Sequence, residues 1–108
     1  MGMPPLPPEY VDFLKHFNGV SCNQGFVFGI CPCGDFFLDI LRENLLCLSR
    51  QAEQLLLGYN EFDLLFWDAR DQIYQLVDKA DGQVIQLYSD FDTAISDILK
   101  TDDEQYLF

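Results

Sequence analysis

Hydrophobic and polar positions alternate along this chain in two distinct periods, and the change of period marks the elements. In the first twenty residues Tyr10, Phe13, Leu14 and Phe17 recur at i, i+3, i+4 and i+7, the single apolar face of a helix. Pro7 and Pro8 suit its start, because a proline at the first helical position gives up a donor that would have no partner there. Glu9 and Asp12 lie at the positive end of the helix dipole, and Lys15 and His16 in the last turn. Asn18-Gly19 ends the helix, with glycine free to take the left-handed conformation. Phe26 to Ile30 reads as a short strand, and Cys31-Pro32-Cys33-Gly34 as a turn.

The spacing of Leu38, Leu41, Leu45, Leu48, Ala52, Leu55 and Leu56 predicts a longer helix over Phe37 to Leu57, with Asp35 as N-cap and Gly58 as its stop. Arg42, Glu43, Arg50 and Glu53 form its outer face, and the run Leu45-Leu46-Cys47-Leu48 widens the apolar face enough to imply burial on two sides. Beyond it the period falls to two. Leu64 to Trp67, Ile73 to Val77 and Val84 to Tyr88 are three strands, separated by the turn Asp68-Ala69-Arg70-Asp71 and the loop Asp78 to Gly82, whose Asp-Gly pair supplies positive φ. They form an antiparallel meander. Ser89-Asp90 caps a last helix with Phe91, Ala94, Ile95, Ile98 and Leu99 on one face. The expected fold is α+β: a small antiparallel sheet of about four strands, with N-terminal, middle and C-terminal helices packed against it.

At 108 residues this is one domain, long enough to bury a core without staples. Eighteen acids against six Lys and Arg change the picture of its partners. Residues 61–108 carry twelve of the acids and three of the bases. Such a field repels nucleic acid and anionic membranes and speeds encounter with a basic protein; it also serves simple solubility. Glu61, Asp63, Asp68, Asp71 and Asp78 cluster in the strand half with Phe62, Trp67 and Tyr74 among them, a composition suited to an interface. Glu61, Asp63, Trp67, Asp68, Asp71, Tyr74 and Asp78 are therefore the candidate partner-binding residues. The alternative for each is a core aromatic or a solvated acid.

Candidate chemistry adds little. One His and four Ser leave small scope for a nucleophile and base pair, and Ser89 is explained as part of a helix start. Asp68, Asp71, Asp78 and Asp81 lie in turns, where aspartate is favoured for backbone reasons. Cys31 and Cys33, with Cys22 and Cys47, lack the usual two-residue spacing of zinc hooks. Small thiols are expected rather than a metal site, a redox pair or an intersubunit disulfide. No catalytic residue, metal or cofactor is expected. The amino terminus has no basic and apolar leader pattern and no apolar run reaches membrane length, so the cytoplasm is the expected location, with thiols reduced.

The opening Leu6-Pro7, Tyr10, Phe13-Leu14, Phe17 and Asn18-Gly19 resemble the N-terminal helix of the SUKH superfamily, which includes cell-wall-assembly regulators and bacterial immunity proteins. Asp63-Leu64-Leu65-Phe66, Ile73-Tyr74-Gln75-Leu76 and the closing helix Phe91 to Leu99 resemble the later elements of that family. The resemblance implies a single SUKH-like domain over residues 1–108 that binds protein without catalysis. A toxin domain, often a nuclease with a basic groove, is the partner it implies. A self-associating or regulatory scaffold is the alternative, and a monomer or weak homodimer is expected.

Overall fold

A computed structural model describes residues 4–17, 19–29, 40–47 and 50–100. Its elements run α1 (Pro8–His16), β1 (Val20–Cys22), β2 (Gly25–Val27), α2 (Ile40–Leu46), β3 (Gln54–Tyr59), β4 (Asp63–Asp68), β5 (Ile73–Asp78), β6 (Val84–Tyr88) and α3 (Phe91–Leu99). The six strands form one sheet in sequence order, each antiparallel to the next. The α+β class and the terminal meander are as expected; the sheet has six strands rather than about four.

Helix α1 begins beside its prolines and buries Tyr10 and Phe13. Helix α3 is capped by Asp90, whose side chain accepts from the Thr93 N–H at 2.9 Å. All five of its expected core residues are buried. These helices meet on one face of the sheet through an aromatic cluster. Phe91 lies 5.3 Å from Phe13 and 5.8 Å from Tyr74 between ring centroids, and Trp67 lies 4.8 Å from Tyr74. Full burial of each such ring contributes about 1.5–3 kcal/mol. The Tyr10 hydroxyl donates to the Phe28 carbonyl, tying α1 to the end of β2.

Two expectations are corrected. The helix over Phe37 to Leu57 is helical only at Ile40–Leu46 among the described residues, and Gln54–Tyr59 is a strand. Leu55, Leu56 and Leu57 are all buried, the pattern of a central strand covered on both sides; a short continuous apolar run is equally compatible with helix and strand. Gly58 is accordingly no helix stop. A Cβ there would lie 2.2 Å from the Phe26 carbonyl oxygen, so glycine lets β2 approach β3. The second correction is β1, which the sequence reading passes over. Asn23 and Gln24 both have positive φ, 51° and 64°, and join β1 to β2 as a two-residue hairpin. Asn23 also donates to the Leu99 and Lys100 carbonyls at 3.0 and 3.1 Å, closing the end of α3.

Strand β2 pairs only with the Gly58–Tyr59 end of β3, and side chains complete the edge beyond it. Asn44 Oδ1 accepts from the Leu56 N–H at 2.6 Å, and Nδ2 donates to the Leu56 carbonyl at 2.9 Å. Arg50 Nη1 donates to the Gln54 carbonyl at 2.8 Å. Both residues are buried, and the Asn44 amide acts as one peptide unit of a neighbouring strand. Asn18, Ile30, the Cys31 to Gly34 turn, Asp35, Phe37, Leu38, Leu48 and the tail from Asp102 to Phe108 lie outside the described residues.

Candidate functional site

Strand register decides which side chains share a face. In the pairing of β3, β4 and β5, Leu55, Leu65, Trp67, Tyr74 and Leu76 fall on the helix-covered side. Gln54, Leu56, Leu64, Phe66, Asp68, Gln75 and Val77 fall on the other. That second face carries a shallow depression of about 830 Å³. Its apolar floor is Leu64, Phe66, Val77 and Val84, and its rim carries Glu53, Asp68, Asp71, Asp78 and Asp81 against Arg70 and Lys79. The rim is therefore acidic around an apolar centre, the layout of a protein-binding patch.

The rim is held by local hydrogen bonds. Asp68 Oδ1 accepts from the Arg70 N–H at 3.0 Å and the Asp71 N–H at 3.4 Å, which shapes the β4–β5 turn. Asp68 Oδ2 accepts from Gln75 Nε2 at 3.3 Å, and Gln75 Oε1 accepts from Gln54 Nε2 at 3.0 Å. This chain spans three strands at one end of the depression. At the other end Asp78 Oδ1 accepts from the Ala80 N–H at 2.7 Å and Asp81 Oδ1 from the Gln83 N–H at 2.9 Å. The Arg70–Asp71 ion pair, at 3.9 Å with both side chains largely exposed, is worth at most about 1 kcal/mol.

The seven candidate residues do not form one face. Asp68, Asp71 and Asp78 line the depression. Tyr74 is fully buried beneath α1 and α3, with its hydroxyl donating to Glu9 Oε1 at 3.0 Å, so it presents no surface to a partner. Trp67 is half-buried against Tyr74 on the same inner side. Asp63 pairs across the sheet with Asp78, in register at the strand ends, and Glu61 is exposed in the preceding loop. Phe62, beside Glu61, is 59% exposed, and the Lys100 ammonium lies 5.5 Å from its ring centroid. The tight 60–63 loop is organised by Asn60, whose Oδ1 accepts from the N–H groups of Phe62 and Asp63.

Sequence reasoning missed Glu53 and Val84 as parts of this surface. The helical period places Glu53 on the outside of a helix, and no local pattern brings it beside Asp68. Val84 was visible as a strand residue; only the register turns it onto the depression.

Buried tyrosine hydroxyls dominate the electrostatics of the helix-covered side. Burial and then the Glu9 carboxylate raise the Tyr74 pKa far above its ordinary value. Burial and then Asp97, which accepts from the Tyr88 hydroxyl, do the same for Tyr88. Asp90 is held below the usual carboxylate range, chiefly by the Thr93 N–H. None of these groups opens into the depression.

Among the described residues no group of three or more His, Cys, Asp and Glu is placed to hold a metal ion. Cys22 and Cys47 are half-buried thiols, and Cys31 and Cys33 lie outside the described residues. No helix of the described residues is long and apolar enough to cross a membrane. Comparison with family models, curated proteins and solved structures finds no match.

Proposed function

We propose that this chain is a non-enzymatic protein-binding module whose partner presents a basic surface to the acid-rimmed depression. The observation that carries the reading is one surface in which an apolar floor, Leu64, Phe66, Val77 and Val84, is ringed by five carboxylates and two cations. Leu64 and Val84 offer the apolar area that supplies affinity once water leaves, over the buried Phe66 and Val77, while the rim charges speed encounter and select the sign of the partner. The resemblance to SUKH immunity proteins makes the partner a toxin domain, of the nuclease type whose basic groove complements such a rim. Placement in the cytoplasm belongs to the same proposal.

The test is co-expression with the toxin gene nearest its own gene, followed by purification of a complex. Rescue of growth and a stable complex are expected, with binding that weakens from low to high salt. Absence of both rescue and complex would overturn the reading. Among rim substitutions, Glu53→Lys and Asp71→Lys are the informative ones, because both side chains are exposed and Asp68 also shapes its own turn.

A self-associating scaffold is the second reading, favoured by the half-exposed Val84, Ile85 and Leu87 of β6. Sedimentation at two salt concentrations separates the readings: an apolar dimer persists or tightens as salt rises, whereas charge-steered binding weakens.

A further inference from the structure

Strand β6, Val-Ile-Gln-Leu-Tyr, has no charged residue and ends the sheet order. Among the described residues no strand pairs with its outer edge. The Asp78 N–H bonds the Gln83 carbonyl at 2.9 Å, which sets the alternation of hydrogen bonds along β5 and β6. With the register shift at Ile85, Val84 and Leu87 then turn their own N–H and C=O groups away from β5. The Leu87 carbonyl takes a 3.3 Å contact from the side chain of its neighbour Gln86. Val84, Ile85 and Leu87 are 50%, 51% and 49% exposed. Sheets ordinarily guard an edge with lysine, proline, inward charges or a bulge, and of these β6 has only the shift at Ile85.

Charge decides what fits this edge. No basic residue lies between Lys79 and Lys100, while Asp81, Asp90, Asp92 and Asp97 do. Asp97 is brought beside β6 by its bond from the Tyr88 hydroxyl. A second copy, paired antiparallel with Val84 opposite Leu87, would set Asp81 against Asp90, twice per dimer. Two chains of net charge −12 add to that repulsion. A basic segment reverses the sign of every one of these terms.

We infer that the outer edge of β6 docks an extended segment of a partner, with basic residues alternating with apolar ones, as a seventh strand. The segment's main chain pairs with Val84 and Leu87. Its apolar side chains continue the floor of the depression, which Val84 already joins to the edge, and its basic side chains meet the flanking aspartates. This rests on the protein-binding reading and names the segment's form.

The probe is a capped peptide of about ten residues alternating valine and lysine, the upper length of an ordinary strand. It is titrated into the isotope-labelled full chain beside two N-methylated forms, one for each set of alternate residues. The parent peptide is expected to bind, to slow exchange of the Val84 and Leu87 amides, and to bind more weakly as salt rises. Methylation of one set should weaken binding about tenfold or more, because only one set donates to the edge. Equal binding of all three peptides, lost in the Glu53→Lys and Asp71→Lys chains, would overturn edge pairing and leave the depression reading standing. No binding of the parent peptide would overturn edge pairing while leaving the co-expression test to judge that reading. Slow exchange at Val84 and Leu87 in the free monomer, or a dimer abolished by Leu87→Lys, would also overturn the inference, the occupant then being the chain itself or a second copy.

Discussion

Asn44→Ala tests the claim that a side-chain amide completes the edge of β3. Asn44 is 2% exposed and makes three bonds: its Nδ2 donates to the Ile40 and Leu56 carbonyls, and its Oδ1 accepts from the Leu56 N–H. Alanine leaves the Leu56 N–H and C=O without these partners beside a strand whose side chains are buried. Each buried, unmade bond costs about 1–3 kcal/mol. A water entering the vacated space recovers part of that, and alanine's higher helix propensity returns about 0.5 kcal/mol in α2. The expected net loss is about 2–4 kcal/mol, a large share of the roughly 5–15 kcal/mol that holds a domain together. The assay is equilibrium urea unfolding of both chains. At a slope of about 2 kcal/mol per molar, the midpoint should fall by about 1–2 M. Asn44→Asp keeps one acceptor, loses both donations and buries a charge, so it should be at least as damaging at neutral pH and recover partly in acid. A loss below about 1 kcal/mol for Asn44→Ala would refute the reasoning, since the amide would then be replaceable by solvent.

Gly58→Ala should unfold the domain or cost about 3 kcal/mol or more, because its Cβ would meet the Phe26 carbonyl at 2.2 Å and Val27 Cα at 3.1 Å, both backbone atoms; thermal unfolding measures it. Gly82→Ala, at φ +73° but with open space around it, should cost only about 1 kcal/mol, and the contrast separates collision from conformational strain. Asp90→Ala removes the cap of α3 and should cost about 1 kcal/mol at neutral pH. The Asp90 pKa is lowered by folding, so its contribution is full above the ordinary carboxylate value of about 4 and vanishes as pH falls below it; the two chains should converge in acid unfolding. Tyr74 and Tyr88 have raised pKa values, so their contribution is full below the ordinary tyrosine value of about 10 and is lost as pH climbs above it. Tyr88→Phe should therefore unfold less steeply in alkali than the parent chain, followed by circular dichroism, and the parent's tyrosinate absorbance should appear in step with unfolding.

The elements that a reader of the sequence could place share one property: their period and their end signals agree. Helix α1 has its prolines and its i, i+3, i+4, i+7 stripe, and α3 has Asp90 and an apolar face that is buried throughout. Strands β4, β5 and β6 are separated by Asp- and Gly-bearing turns whose side-chain bonds form as turn chemistry dictates. Hairpin β1–β2 escaped notice because its turn is Asn23-Gln24. Gln24 adopts a positive φ that sequence reasoning reserves for glycine or asparagine, and the Asn23 bonds to the end of α3 hold the turn beside it.

The sequence alone determined the class of fold, the terminal helices, the meander and the excess of acid in the second half. Those follow from local periods, caps and composition, which no distant contact has to supply. Tertiary structure decided two things that local patterning leaves open. Leu55-Leu56-Leu57 became a strand because β4 and the Asn44 and Arg50 side chains satisfy its backbone, where an isolated leucine run would accept either state. The acids and aromatics of residues 61–78 were also divided between two faces. Register alone sends Asp68 to the open depression and Trp67 and Tyr74 inward, because a strand turns successive side chains to opposite sides.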